Sequence, residues 1–128
     1  MTPNFILLPH PDPIAIFWAR FPHLKGTLNC DEGYGEYRIY DAFVDYLLEH
    51  PLEDAIWQGA CALINELAAK NHPTTDTVIR MEFFLALSRY PAAIEFLHAN
   101  LNGLALQLLE EEMEDEFSDG TPNEDQTL

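Results

Sequence analysis

The stretch AIWQGACALINELAA, residues 55–69, decides the fold of this chain. Ile56, Trp57, Ala60, Cys61, Leu63, Ile64, Leu67 and Ala68 keep the i, i+4, i+7, i+11 rhythm of a helix on two adjacent faces. Only Gln58, Asn65 and Glu66 are plainly polar, and they leave a narrow stripe. A helix apolar over most of its circumference has to be covered on several sides. In 128 residues that predicts a central helix, about 52–71, with other helices packed around it.

The flanks supply those helices. Asp12-Pro13 is an N-cap followed by a first-turn proline, and Pro22 closes a helix over 13–21 that offers Ile14, Phe17, Trp18 and Phe21. Residues 23–35 hold no period and carry three glycines, so a loop is expected. A helix over about 36–50 follows, with Tyr37, Tyr40, Phe43, Val44, Leu47 and Leu48 on its apolar face. Pro51 then opens the central helix, with Glu53 and Asp54 in its first turn, and so tight a connection implies a helical hairpin or a sharp corner.

Thr74 or Thr75 is expected to cap the next helix, about 75–89, whose core side is Val78, Ile79, Phe83, Phe84, Leu87 and Tyr90. After Pro91, the residues Ile94, Leu97, Leu101, Leu104 and Leu108 step by 3, 4, 3, 4, a seam that favours one long helix running through Asn102-Gly103. The acidic run 110–116 should fray it. The expectation is an all-α bundle of five to six helices in one domain, 1–117, with an extended arm at 1–11 and a disordered acidic tail at 118–128.

Charge is the outlying property. Twenty-two acids oppose six bases, for a formal net charge of −16. Nine of those acids fall within 110–125, where Lys and Arg are absent, which leaves −7 on residues 1–109. Binding of a phosphate backbone would set like charge against like, so nucleic acid is disfavoured and a basic protein partner is favoured. No apolar run approaches the roughly 20 residues of a membrane span. Two cysteines and no leader-like start point to a reducing, cytoplasmic setting.

Chemistry finds little support. His10, His23, His50, His72 and His98 never sit three or four residues apart, so no helical metal pair forms, and no motif implies a cofactor. Cys30 is the one candidate nucleophile, but Asp31 and Glu32 beside it oppose a thiolate. The expectation is that the chain is not an enzyme.

The outer face of the 36–50 helix stands out instead. Asp41, Asp45 and Glu49 lie at i, i+4 and i+8; Arg38 can pair with Asp41, and Asp45 has no base within a turn. Like charges at that spacing cost about 0.2–0.5 kcal/mol per pair. Such a face serves solubility, or it is a docking stripe extended by Asp31 and Glu32 before it and by Glu53 and Asp54 after it, with Tyr34, Tyr37 and Tyr46 along its edges.

Several pieces together carry a resemblance: Phe17…Phe21-Pro22-x-Leu24, Asp31-Glu32-Gly33, Phe43…Leu47, Leu63-Ile64-Asn65-Glu66-Leu67-Ala68 and Met81-Glu82-Phe83-Phe84-x-x-Leu87. Over roughly 14–108 the chain resembles small all-helical bacterial proteins encoded beside polymorphic toxins. The resemblance implies an immunity role and defines no active site. Charge and resemblance together make the expected function that of an acidic immunity protein, occluding a basic, nuclease-type toxin domain. The alternatives are a secretion chaperone or adaptor, and a DNA mimic that inhibits a nucleic-acid-binding protein.

Overall fold

The computed structural model describes residues 11–28 and 38–120, and among them every regular element is helical. Helix α1 spans Pro13–Arg20, and a short 3-10 turn, Pro22–Leu24, follows it. Helix α2 is Arg38–Leu48 and α3 is Ala55–Ala69. Helix α4, residues 73–87, starts as α-helix over Pro73–Val78, widens into a π-helical turn over Ile79–Phe84, and regains α geometry at Leu85–Leu87. Helices α5, Pro91–Asn100, and α6, Gly103–Gly120, complete the set. The expected arm, most of the 23–35 loop and residues 121–128 lie outside the described residues.

Helix α3 is the centre of the bundle, packing on α1, α4, α5 and α6. Its Trp57, Leu63, Ile64 and Leu67 are buried to within a few per cent. Its polar stripe is spent on neighbours. Glu66 accepts from Arg20 of α1 at 2.8 Å, and Asn65 Oδ1 accepts from the backbone N–H of Asn102 at 3.0 Å, fixing the turn before α6. Gly59 gives α1 room, since a Cβ there would stand 3.1 Å from the ring of Phe21.

Aromatic rings knit α1, α2 and α4 together. Phe17 lies 5.0 Å from Phe43 and 5.5 Å from Tyr40, both edge-on, and Phe83 meets Tyr40 at 5.7 Å. The buried Tyr40 hydroxyl donates to the Pro13 carbonyl at 2.6 Å. Such offset contacts add about 0.5–1.5 kcal/mol per pair beyond simple burial.

Several boundaries depart from the sequence expectation. The central helix begins at Ala55, with Asp54 as its cap accepting from Ile56 N–H at 3.0 Å; Pro51 sits in the preceding turn. Helix α2 packs on the π-helical turn of α4 and meets α3 at a corner, where Trp57 Nε1–H donates to the His50 carbonyl at 3.0 Å. His72, not Thr74 or Thr75, caps α4: its Nδ1 accepts from Thr74 N–H at 3.0 Å. Thr75 is buried, its hydroxyl donating to the His72 carbonyl at 3.0 Å. Proline at the first helical position marks the residue before it as the cap.

The seam through Asn102-Gly103 is broken. Leu101 is extended and Gly103 has φ +54°, so α5 and α6 are separate helices. The break shifts the phase, leaving Leu104 43% exposed while Ala105 and Leu109 enter the core. Nor does the acidic run fray. Arg80 reaches Glu111 at 3.2 Å and Glu112 at 3.6 Å, His98 meets Glu110 at 3.2 Å, and α6 runs on to Gly120. Leu48 and Tyr90, expected on core faces, are exposed, and Ile39 is buried in α2.

Candidate functional site

Helix α2 carries an apolar half and an acidic half. Ile39, Tyr40, Phe43, Val44 and Leu47 are buried, while Asp41, Asp45 and Glu49 stand on the exposed side. Glu53, in the turn before α3, is exposed as well. Asp54 is not free to extend the stripe, because its carboxylate caps α3. Asp31, Glu32, Tyr34 and Tyr37, along with Cys30, lie outside the described residues. Tyr46 is half-buried, 4.4 Å from the ring of His50, and His50 Nδ1 is 2.7 Å from the Tyr46 carbonyl.

Between α2 and α4 lies a cavity of about 310 Å³, lined by Arg38, Asp41, Ala42, Val44, Asp45 and Ala86. Two of the acids picked out by their spacing therefore form one wall of a groove. Across it, Glu82 of the π-helical turn is hydrogen-bonded to Asp41. Two carboxyl groups share such a bond only while one keeps its proton. Burial, then the bond to Asp41, then the negative charge of Asp41 push the Glu82 carboxyl up to about 8. Sequence spacing on α2 alone missed Glu82 and Ala86. The only local sign of Glu82 is an acid set among Met81, Phe83 and Phe84, in a helix whose neighbours are mostly apolar.

The shared proton has a consequence for stability. Between pH 4.5 and about 8 the folded chain holds a proton that the unfolded chain releases. The stabilising effect is complete below pH 4.5 and is lost as pH rises towards 8. Arg38, Asp41 and Asp45 are the charged groups facing Glu82 from α2, while Arg80 on α4 is engaged by Glu111 and Glu112 of α6. Glu82→Gln donates to Asp41 with no proton to lose. For a half-buried group the gain at pH 8 is about 1 kcal/mol, or roughly 3–5 °C in Tm. Thermal melts from pH 4.5 to 8.5 should converge at the acid end and separate at the alkaline end; parallel curves would contradict the shared proton.

Among the described residues no group of three His, Cys, Asp or Glu side chains is placed to hold a metal, and no helix is long and apolar enough to cross a membrane. The Cys61 thiol is buried in α3, and that burial pushes it up to about 11, a setting for a packing residue rather than a nucleophile. No family model, curated protein or solved structure matches this chain.

Proposed function

We propose that this chain is an acidic binding protein whose α2 face docks on a basic partner, and that it acts as an immunity protein covering the active site of a bacterial toxin domain. The observation that carries the reading is the exposure of Asp41, Asp45, Glu49 and Glu53 along one side of α2 and its following turn, with nothing basic set between Asp45 and Glu53. The contrast with α6 is informative. There Arg80 and His98 face the acids at 110–112, and the surface charge is partly balanced within the fold.

A toxin domain of the nuclease kind presents a positive cleft to phosphate. An anionic helix laid over that cleft excludes substrate by occupancy and field, and no bond is made or broken on the inhibitor. Opposite charges speed the encounter at low ionic strength, and added salt slows it. Residues 31, 32, 34 and 37, which precede α2, extend the same contact in this reading.

The test is to mix the purified chain with the toxin domain encoded directly upstream and follow the toxin's activity. Inhibition should be complete at one-to-one stoichiometry and weaken steeply between 50 and 500 mM salt, by about one to two orders of magnitude. Full toxin activity in excess of the chain contradicts the proposal. A secretion adaptor would hold its client through the exposed Met81 and Leu85, and its complexes would be insensitive to salt.

A further inference from the structure

We propose that the groove between α2 and the π-helical turn of α4 is the seat of a basic amphipathic helix supplied by the partner. The inference rests on the reading of α2 as a docking face and adds to it the shape and chemistry of what docks.

The groove has two kinds of lining. Asp41 and Asp45 supply carboxylates from α2, and Glu82 supplies a third from α4. Its floor, by contrast, is Ala42, Val44 and Ala86, small and apolar. Three of the large apolar side chains left exposed in this fold fall along its rims. On α2, Leu48 follows Val44 by four residues and is 36% exposed. On α4, Leu85 and Met81 are 45% and 53% exposed, and helical spacing sets them beside Glu82 and Ala86 on the outward side. An acidic face kept for solubility has no use for leucine and methionine beside it. A groove that grips a helix does, because apolar anchors at i, i+3, i+4 and i+7 carry the affinity in that mode.

Dimensions agree. From Asp41 to Leu48 is two turns of α2, about 10 Å along the axis, so an occupant helix meets it over two to three turns. Its cations fall opposite Asp41, Asp45 and Glu82, and its Leu or Phe side chains fall between Leu48 and Leu85. Met81 is suited to the rim, because an unbranched thioether repacks around different anchors. A second copy of this chain is the wrong occupant on charge, since each carries −16.

The experiment uses the full chain and designed peptides of about 18 residues, long enough to be partly helical alone. One peptide carries Lys or Arg at i, i+4 and i+8 with Leu at i+3 and i+7; a second has the same composition in scrambled order. By fluorescence anisotropy the patterned peptide should bind at least tenfold more tightly than the scrambled one. Ala86→Phe, which fills the groove from an exposed position, and Leu85→Ser should each weaken it about tenfold with helicity unchanged by circular dichroism. Equal binding of both peptides overturns the groove while leaving a purely electrostatic docking face in place. Failure of the patterned peptide, or indifference to both substitutions, overturns it too, even if the toxin is inhibited. A patterned peptide that binds while the toxin stays fully active upholds the groove and sinks the immunity reading. Concentration-dependent dimerisation abolished by Ala86→Phe assigns the groove to self-association, against the proposal.

Discussion

Phe17→Ala is expected to lower the unfolding free energy by about 3–5 kcal/mol, the range for removing a fully buried phenylalanine. Phe17 has no exposed surface and touches Trp18, Phe21, Tyr40 and Phe43 at ring separations of 5.0–5.5 Å. Those partners belong to α1 and α2, and two of them, Tyr40 and Phe43, continue to Phe83 in the π-helical turn. Deleting the ring therefore leaves a void where three helices meet. A domain of this size has roughly 5–15 kcal/mol of stability in total. The loss should appear as a fall of about 10–20 °C in the thermal midpoint and a matching shift in the urea midpoint. Trp18→Ala, at a half-buried neighbour whose ring is covered by Lys25 at 5.3 Å, should cost less. A loss under 1 kcal/mol for Phe17→Ala would mean that α1 is not part of the core.

The second large effect concerns binding. Asp45→Lys together with Glu49→Lys is expected to weaken the complex with the toxin domain at least a hundredfold. Close charge pairs across interfaces couple by about 1.5–7 kcal/mol, and reversal replaces attraction with repulsion at two positions, so about 3 kcal/mol is a conservative sum. Most of the change at low salt should fall on the association rate. Asp41 is left in place on purpose, because a lysine there would meet Glu82 and form a new ion pair inside the fold. The chosen pair carries no such complication. Both residues are exposed, and a lysine just past the last turn of α2 is favoured by the helix dipole, so helicity and Tm should hold or rise. Unchanged affinity would remove the α2 face from the interface.

Much of the scaffold was legible because its signals are local. The centre of the bundle could be read from 55–69, since an all-round apolar helix has one place to go. The start of α1 could be read from Asp12-Pro13, where the carboxylate accepts from the N–H groups of Ile14 and Ala15. What escaped was set by contacts distant in sequence. The run at 110–116 stays helical because Arg80 and His98, on α4 and α5, supply the missing cations. The α5–α6 break hid behind leucines whose spacing suits a continuous seam, and only Gly103's positive φ and the Asn65 bond reveal it. Phe83 and Phe84 were readable as core, but not the π-helical turn that helps bury both rings.

The candidate site divides in the same way. Asp41, Asp45 and Glu49 were visible as a period-four row on one helix. Their meaning changed once Glu82, forty-one residues after Asp41, was seen across the groove. Spacing within α2 describes a stripe; the packing of α4 makes part of it a wall, with leucine and methionine at its edge.

The central claim is that carboxylates on α2 meet the cations of a partner protein, and a crystal structure of the chain bound to the upstream toxin domain tests it most directly. The account predicts Asp45 and Glu49 within 4 Å of Lys or Arg side chains of the toxin, with the toxin's substrate cleft covered. An interface built on the exposed Leu104 side of α6, with Asp45 and Glu49 still facing solvent, would contradict it.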